Sequence, residues 1–464
     1  MVAPTIDKEV MQSIAADFCG DLIEPGDKSY DDAREIYNAM IDKHPHLIAR
    51  CANVADVIAA VNFARDNGLD LAVHGGGHNG AGLAMVDDGV VIDLSPLKGI
   101  RVDQAAQTVR VQGGCTWGEV DHATHAFGLA VPSGIISTTG VGGLTLGGGH
   151  GYLSRKYGLT IDNLIEPDVV LADGRLVTAN ASQHEDLFWA IRGGGGNFGV
   201  VTSFLFQAHP VHTVYGGPII WPISQAEELM KWYRDFIADA PEDIYAWFGF
   251  HRVPTGSPLP EALHGHHGCV MTWCYTGPMD KAEEVFAPIR QLGDPVLDMA
   301  GPMPYPALQR MFDQLYYPPG LQWYWKADFV KELSDEAIDI HTEHGSSLPT
   351  ELSTMHLYPI NGAVHDVAAS ETAFSFRDVT WSRVIVGVDK DAANATHLKQ
   401  WARDYWAALH PLSAGGGYVN FMMEEGQDRI EATYRDNYAR LVQVKAKYDP
   451  DNLFHVNQNI KHRT

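Results

Sequence analysis

Glycine constrains this chain more than any other residue, because it is gathered into three loops, 75–82, 140–151 and 193–196, within the first two hundred of 464 positions. The first loop, VHGGGHNGAG at Val73–Gly82, contains a G-x-G-x-x-G at Gly75, Gly77 and Gly80. That spacing is a dinucleotide fingerprint only where a strand turns directly into a long amphipathic helix. The text before it reads strand, helix, strand: LIARCA, then NVADVIAAVNFARDNG, then LDLAVHG. Asn53 is placed to cap the helix, Val54, Val57, Ile58 and Val61 form its apolar stripe, and Asn67-Gly68 stops it. After Gly80, however, a short loop leads into another strand, VVIDLS at Val90–Ser95, so the glycines have no helix to open. No acidic residue is expected to close a second strand at the usual distance of about 20 residues. The glycines serve some purpose other than a Rossmann turn.

Further along, TVRVQGG predicts a strand ending in Gly113-Gly114, and a helix follows from Thr116 to Phe127. The segment PSGIISTTGVGGLTLGGGHGYLSRKYGLTIDNL has little apolar periodicity and reads as irregular backbone wrapped closely around something. VVLADGRLVTA predicts a hairpin turned by Asp173-Gly174, and EDLFWAIRGGGGNFGVVTSFLF a helix, a tetraglycine loop and a strand. Between residues 207 and 414 glycine thins, and strands such as YAWFGFHRV, CVMTWCYTG, STMHLYP and RVIVGVD alternate with helices such as QAEELMKWYRDFIADA. This pattern predicts an α+β unit with an antiparallel sheet. The last fifty residues return to loop text, SAGGGYVNF, then a long helix over Arg429–Tyr448 and a tail, FHVNQNI, expected to rejoin the first unit. The expected division is 1–206, 207–414 and 415–464, without internal repeats or low-complexity tracts.

Charge narrows the partners. With 58 acidic against 33 basic residues the formal net charge is −25, which disfavours phosphate backbones and anionic membranes. Neither nucleic acid nor membrane is expected as a partner. Five scattered cysteines, Cys19, Cys51, Cys115, Cys269 and Cys274, form no C-x-x-C pair and fit a reducing, cytoplasmic setting rather than a disulfide or zinc framework. The opening MVAPTIDKEV lacks the pattern of a signal peptide.

Backbone N–H groups exposed by glycine turns form anion-binding nests, and a pyrophosphate is the natural anion when several loops share one ligand. Together with GGGH at Gly75–His78, GVGGLTLGGGHG at Gly140–Gly151, DLFWAIRGGGGNFGVVT at Asp186–Thr202 and YRDNYARLVQVKAKYDPDNLFHVNQNI at Tyr434–Ile460, these loops give the chain a clear likeness. In this order and over nearly the whole length, the chain resembles the berberine-bridge-enzyme-like FAD-linked oxidases of the vanillyl-alcohol oxidase superfamily. The resemblance implies an α+β fold: a PCMH-type FAD-binding domain of two α/β subdomains, plus a substrate domain whose antiparallel sheet is covered by helices.

The resemblance also implies roles. His78 matches the histidine joined covalently to the 8α-methyl of the flavin, and a histidine bracketed by glycines lets imidazole and backbone approach a flat ring. Around it the first loop would contribute Gly75, Gly76, Gly77, Asn79, Gly80 and Gly82 to the cofactor, while His74 receives no role. The second would contribute Ser137, Thr138, Gly140, Gly142, Gly143, Gly147, Gly148, His150 and Gly151, the third Gly195, Asn197, Gly199 and Val200, and the end of the chain Tyr418, Asn457 and Asn459. A second, cysteinyl link found in many relatives is excluded, because Ile136 stands at its position in Gly134–Gly140; Cys115 reads as a buried thiol. Thr139 matches the position that governs dioxygen access to the flavin, and its small side chain favours an oxidase.

The implied chemistry is hydride transfer from substrate carbon to flavin N5, proton removal by a base, and reoxidation by dioxygen to hydrogen peroxide. The family's base is often a glutamate, glutamine or tyrosine, and by spacing from Phe374–Arg377 the glutamate or glutamine position falls near Ile385, an apolar residue. Tyr418 in YVNF is therefore the first candidate base, with Asn420 orienting flavin or substrate. His356 and Tyr358 in TMHLYP share one face of a strand and are the next candidates, against a plain packing role. His264, His266 and His267 lie in loop text and are not expected to bind metal. Trp247, Trp273, Tyr316, Trp323 and Trp325 point to an apolar pocket, more than half of them being expected in the core. An alcohol, sugar or secondary metabolite is the expected substrate, with an oxidative cyclase of a polyketide- or alkaloid-like compound as the alternative. A flavin carrier without turnover and an NAD dehydrogenase are two further readings.

Overall fold

The computed structural model describes residues 14–16, 18–257, 259–316 and 320–461. The opening stretch read for a signal peptide, and the side chain of Tyr316, lie outside the described residues. The first two hundred residues build two small sheets. In one, Leu47–Arg50, Val90–Asp93 and Leu71–His74 run parallel, with Asp21–Ile23 antiparallel at the edge. Asn53 caps the crossover helix Val54–Asp66 by accepting from the N–H groups of Ala55 and Asp56. The second sheet is antiparallel, in the order Ile100–Asp103, Thr108–Gln112, Val200–Gln207, Leu164–Val170 and Leu176–Thr178.

A third, eight-stranded antiparallel sheet is formed by residues between 213 and 389. Its central order is Thr213–Pro222, His267–Tyr275, Ile244–Arg252, Thr354–Pro359, Trp381–Asp389 and Gln322–Val330. Alternation along these strands sorts side chains onto two faces. Phe248, Phe250, Trp273, Met355, Leu357 and Ile385 join the helices Ala226–Asp239, Ala282–Arg290, Asp335–Gly345 and Ala395–Leu409 in one core. Their neighbours Trp247, Trp325, Tyr358, Val384 and Val386 form a cluster on the opposite face, which looks toward the glycine loops. The α+β architecture is as expected from the sequence.

Three local expectations need correction. The second glycine-rich segment is not wholly irregular: Val141–Gly147 and Ser154–Tyr157 are helical turns. The helix read over Arg429–Tyr448 is two helices, Gln427–Tyr434 and Tyr438–Tyr448. The break falls where Arg435 takes φ 47°, so that Asn437 can turn inward and donate to the carbonyls of Ala369 and Thr372. Finally, an acidic residue does close the strand after the first loop: Asp93 ends Val90–Asp93. It is already engaged, with Arg50 Nε at 3.0 Å and His74 Nδ1 at 3.3 Å, so it has no oxygen to spare for a ribose. Those bonds outweigh the effect of burial and hold its carboxyl well below the usual range. Among the described residues no helix is long and apolar enough to cross a membrane.

Candidate active site

The three glycine loops meet. At Gly76 and Gly140 the first and second loops touch backbone to backbone, and a Cβ on Gly76 would stand 2.6 Å from Gly140 Cα. The second and third are joined by Gly195 N–H donating to Leu146 O at 2.9 Å. The C-terminal tail closes the third: Asn197 donates to Gln458 O and accepts from Ile460 N–H, while Asn457 donates to Gly196 O at 3.2 Å. Between these loops and the large sheet lies a cavity of about 310 Å³. Asn38, fully buried, clamps its two walls, since one amide donates to Gly80 O at 2.7 Å and to Trp323 O at 3.0 Å.

On the loop side the wall is mostly backbone. Gly75, Gly76, Gly77, Asn79, Gly140, Gly142, Gly143, Gly195, Asn197, Gly199 and Val200 all border the cavity, as do Asn457, Tyr418 and Asn420. Among the described residues the N–H groups of Gly75, Gly76, Gly77 and Asn79 have no hydrogen-bond partner, which makes them available donors. His78 stacks on Tyr37 at 4.4 Å and 18°, and its Nε2 lies 3.1 Å from Thr138 Oγ1. Burial lowers its pKa to about 4, against the opposing bond at Thr138, so the imidazole is neutral near pH 7. His150, 6% exposed, has no partner at either ring nitrogen among the described residues, and burial lowers it to about 3. Unpaired N–H donors, an orphaned imidazole and a surface that a Cβ would fill are what a flat, polar-edged cofactor needs.

Several residues expected at the cofactor do not border the cavity. Gly80 instead supports the sheet wall, its Cα hydrogen lying where a Cβ would meet Trp325 at 2.9 Å. Gly82 turns with φ 71° against Ile41. The hydroxyl of Ser137 bonds the Asp313 carboxylate, and Thr138 reaches His78 from behind. Gly147 and Gly148 leave room for Asn420 and Phe374, and Gly151 abuts the carbonyls of Ser133 and Gly134. Asn459 lies outside the cavity, its buried Oδ1 without a partner among the described residues. His74 packs beneath Gly77.

On the sheet side the wall is aromatic: Trp247, Phe312, Trp323, Trp325, Tyr358 and Phe421, with Thr354, His356, Val384 and Val386. Three of the five aromatics read from the sequence, Trp247, Trp323 and Trp325, border the cavity while being buried in the cluster on that face, and Trp273 belongs to the helix-covered core, so more than half are core as expected. Ile385 is fully buried in that same core, pointing away from the cavity. Val384 and Val386, its neighbours along the strand, border the cavity instead, and both are apolar. No Asp, Glu, Lys or Arg borders the cavity among the described residues. Ile136 and Thr139 border it beside His78.

Tyr418 is held rigidly. Its oxygen accepts from Gly149 N–H at 2.9 Å and from Asn420 Nδ2 at 2.8 Å, and Asn420 also donates to Leu144 O. Burial pushes its phenol well above the ordinary value, against both bonds. No group among the described residues accepts the hydroxyl hydrogen, so this phenol is arranged to donate into the cavity rather than to take a proton, against the expectation that made it the base. His356 and Tyr358 do share the cavity face. The sequence reading missed Tyr37, Asn38 and Phe312, which precede or interrupt recognisable elements. It also missed His251, whose period-two spacing from Trp247 was the available signal. His264 is engaged with the carbonyls of Ser257 and Leu259, and all five cysteines are free.

Residues 45–180 match the family described as FAD binding domain, and residues 417–461 the one described as berberine and berberine like. An FAD-linked oxidoreductase of Dictyostelium discoideum is 34% identical, covering 97% of each chain. The (R)-6-hydroxynicotine oxidase of Paenarthrobacter nicotinovorans is 30% identical over 95% of this chain and 96% of its own. The crystal structure of 6-hydroxy-D-nicotine oxidase from Arthrobacter nicotinovorans superposes with a TM-score of 0.85 at 28% identity, covering 96% of this chain and 98% of that one.

Proposed function

The chain belongs to the FAD-linked oxidoreductases that carry a berberine-like C-terminal segment, and from that premise we propose an oxidase with its FAD joined to His78. Its substrate in this reading is an uncharged, largely apolar small molecule bearing a hydroxyl group. Dioxygen is the electron acceptor and hydrogen peroxide the second product. When bound, FAD supplies a two-electron acceptor for hydride and a site for reaction with dioxygen.

The observation that carries this reading is the division of one cavity into a glycine wall and an aromatic wall, with no Asp, Glu, Lys or Arg among the described residues that line it. The imidazole of His78, stacked on Tyr37 and kept neutral by burial, is the nucleophile that this reading joins to the flavin. The available N–H groups of Gly75, Gly76, Gly77 and Asn79 favour anionic or carbonyl oxygens of the cofactor. Ile136 offers no second attachment. Thr139, a small residue at the cavity wall, is the one this reading assigns to dioxygen access.

A cationic amine would lie here without a carboxylate, and an oligosaccharide would leave most of its hydroxyls unpaired against tryptophan; each cost disfavours that substrate. An aromatic or alicyclic alcohol meets the wall by ring contacts and places one hydroxyl near Thr354, His356 and Tyr358. The same wall favours one second reading, an oxidative cyclase of a polyketide- or alkaloid-like compound, which a ring-closed product would distinguish.

The test is direct. Acid-precipitated protein should remain yellow, and His78→Ala should release its flavin; flavin wholly in the wild-type supernatant would refute the link. Thr139→Leu should slow reoxidation by dioxygen but not by a dye, and equal slowing by both would show that the residue acts elsewhere. Anaerobic bleaching should follow benzylic, cinnamylic or alicyclic alcohols rather than oligosaccharides or amines.

A further inference from the structure

The strands Ile244–Arg252 and Thr354–Pro359 pair so that Gly249 lies opposite His356. A Cβ at 249 would stand 2.6 Å from His356 Cδ2 and 3.0 Å from His251 Nε2. The glycine is thus the gap that allows two imidazoles on neighbouring strands to meet, with His356 Nε2 2.8 Å from His251 Nε2. On its other side His356 Nδ1 is hydrogen-bonded to Tyr358 Oη. The His356 ring packs against Trp247 at 4.6 Å, which fixes its plane. Tyr358 and His356 border the cavity, whereas His251 stands behind them and is partly exposed.

Facing imidazole nitrogens bond only when one carries hydrogen and the other a lone pair, so this row has two polarities. In one, Tyr358 O–H donates to His356 Nδ1, and His356 Nε2–H donates to His251 Nε2. In the other, every hydrogen has moved one place outward. His251 Nε2–H then faces both His356 and Thr354 Oγ1 at 3.2 Å, an oxygen whose own hydrogen goes to Phe250 O at 2.8 Å. The outward polarity is accommodated without moving a heavy atom. Tyr418 has no such acceptor among the described residues.

We propose that Tyr358, His356 and His251 conduct the substrate's hydroxyl proton out of the cavity as its hydride leaves. Tyr358 is the catalytic residue that touches the substrate, and His356 and His251 are positioning residues that act through it. The assignment rests on the oxidase reading above. The substrate O–H breaks, its electron pair becomes the second bond of C=O, and the C–H pair departs as hydride to the FAD, which is reduced by two electrons. The substrate proton binds Tyr358 Oη as the phenol's own hydrogen passes to His356 Nδ1. His356 Nε2–H in turn passes to His251, which ends as imidazolium.

The experiment uses the flavin-loaded enzyme and anaerobic stopped-flow reduction by cinnamyl alcohol, or by whichever aromatic alcohol of the panel bleaches it fastest. Tyr358→Phe and His356→Asn should each slow reduction about 10²–10⁴-fold, the usual loss of a general base, with the oxidised flavin spectrum unchanged. The double variant should be no slower than the worse single one. His251→Asn should lose less, but the dependence of rate on solvent deuterium fraction should change from curved to linear as fewer protons move together. Single variants within about threefold of wild type, well below that range, or losses that multiply, would overturn the relay. So would an unchanged deuterium dependence in His251→Asn. A wild type that no hydroxylated compound bleaches would overturn the oxidase reading itself. Nitrogen-15 histidine spectra of the unsubstituted enzyme give a check that needs no variant: His356 should carry hydrogen on Nε2 and accept at Nδ1, and two unprotonated facing nitrogens would sink the proposal.

Discussion

On the loop side of the cavity the surface is backbone, packed so closely that Gly76 and Gly140 leave no room for a methyl group, whereas on the sheet side it is rings and imidazoles carried on alternate strand positions. The difference teaches where variation is tolerated. A backbone wall presents the same N–H donors whatever the side chains do, and it fails as a whole if one atom is added. A side-chain wall changes residue by residue, so substrate choice and proton transfer can be altered there while the cofactor site stands.

The largest expected effect comes from adding one methyl to the backbone wall. Gly76→Ala forces the first two loops apart, at a cost of about 3 kcal/mol or more, since neither neighbour is a flexible side chain. Bound flavin should be lost almost entirely and the melting temperature should fall. Flavin retained at wild-type stoichiometry would mean the wall is not built on this contact.

The matching substitution on the sheet, Gly249→Ala, inserts a methyl between His356 and His251. Flavin content should be normal while reduction slows about 10²-fold, the low end for loss of a general base. Loss of flavin in this variant would break the division between the walls.

Acid separates the walls more gently. Burial depresses His150 to about 3 from the ordinary 6.5, so below pH 6.5 the unfolded chain takes up a proton that the folded one refuses. The stability this group supports is therefore complete above pH 6.5 and is lost as pH falls toward 3, by up to about 1.4 kcal/mol per pH unit. His150→Phe should flatten an acid denaturation profile by that slope. An unaltered slope would mean that the loop-side imidazole is solvated.

The smallest effect is expected from Trp325→Leu, which removes ring contacts with Trp323 and Phe421. Substrate Kd should rise roughly two- to tenfold, the equivalent of about 0.5–1.5 kcal/mol for a ring–ring contact, with flavin attachment untouched. A change in attachment instead of affinity would place this ring on the wrong wall.

Much of the loop wall was legible in the sequence because its cause is local. Runs such as GGGH and GVGGLTLGGGHG can be read residue by residue, and the absence of a helix after Gly80 was enough to set aside a Rossmann turn. Even so, the same reading placed Gly80, Ser137 and Gly147 at the cofactor, where the folded chain uses them to seat Trp325, Asp313 and Asn420. A glycine announces a close approach without saying to what. On the sheet, period two put His356 and Tyr358 on one face, while counting from Phe374–Arg377 led to the neighbourhood of Ile385, whose side chain lies in the core with Val384 and Val386 facing the cavity. A slip of one along a strand exchanges cavity for core.

The sequence alone determined the three glycine loops, the antiparallel character of the second half, the histidine after the glycine triplet and the lack of a cysteine at Ile136, because each depends on neighbouring residues or on period along one strand. Only the tertiary structure decided that Gly249 stands opposite His356, that Asn38 reaches Trp323 across 285 positions, and that the phenol of Tyr418 has donors around it where Tyr358 meets an imidazole nitrogen. Those facts depend on strand pairing and loop closure between segments remote in the chain, and a hydrogen bond has a direction only once both partners are fixed in space.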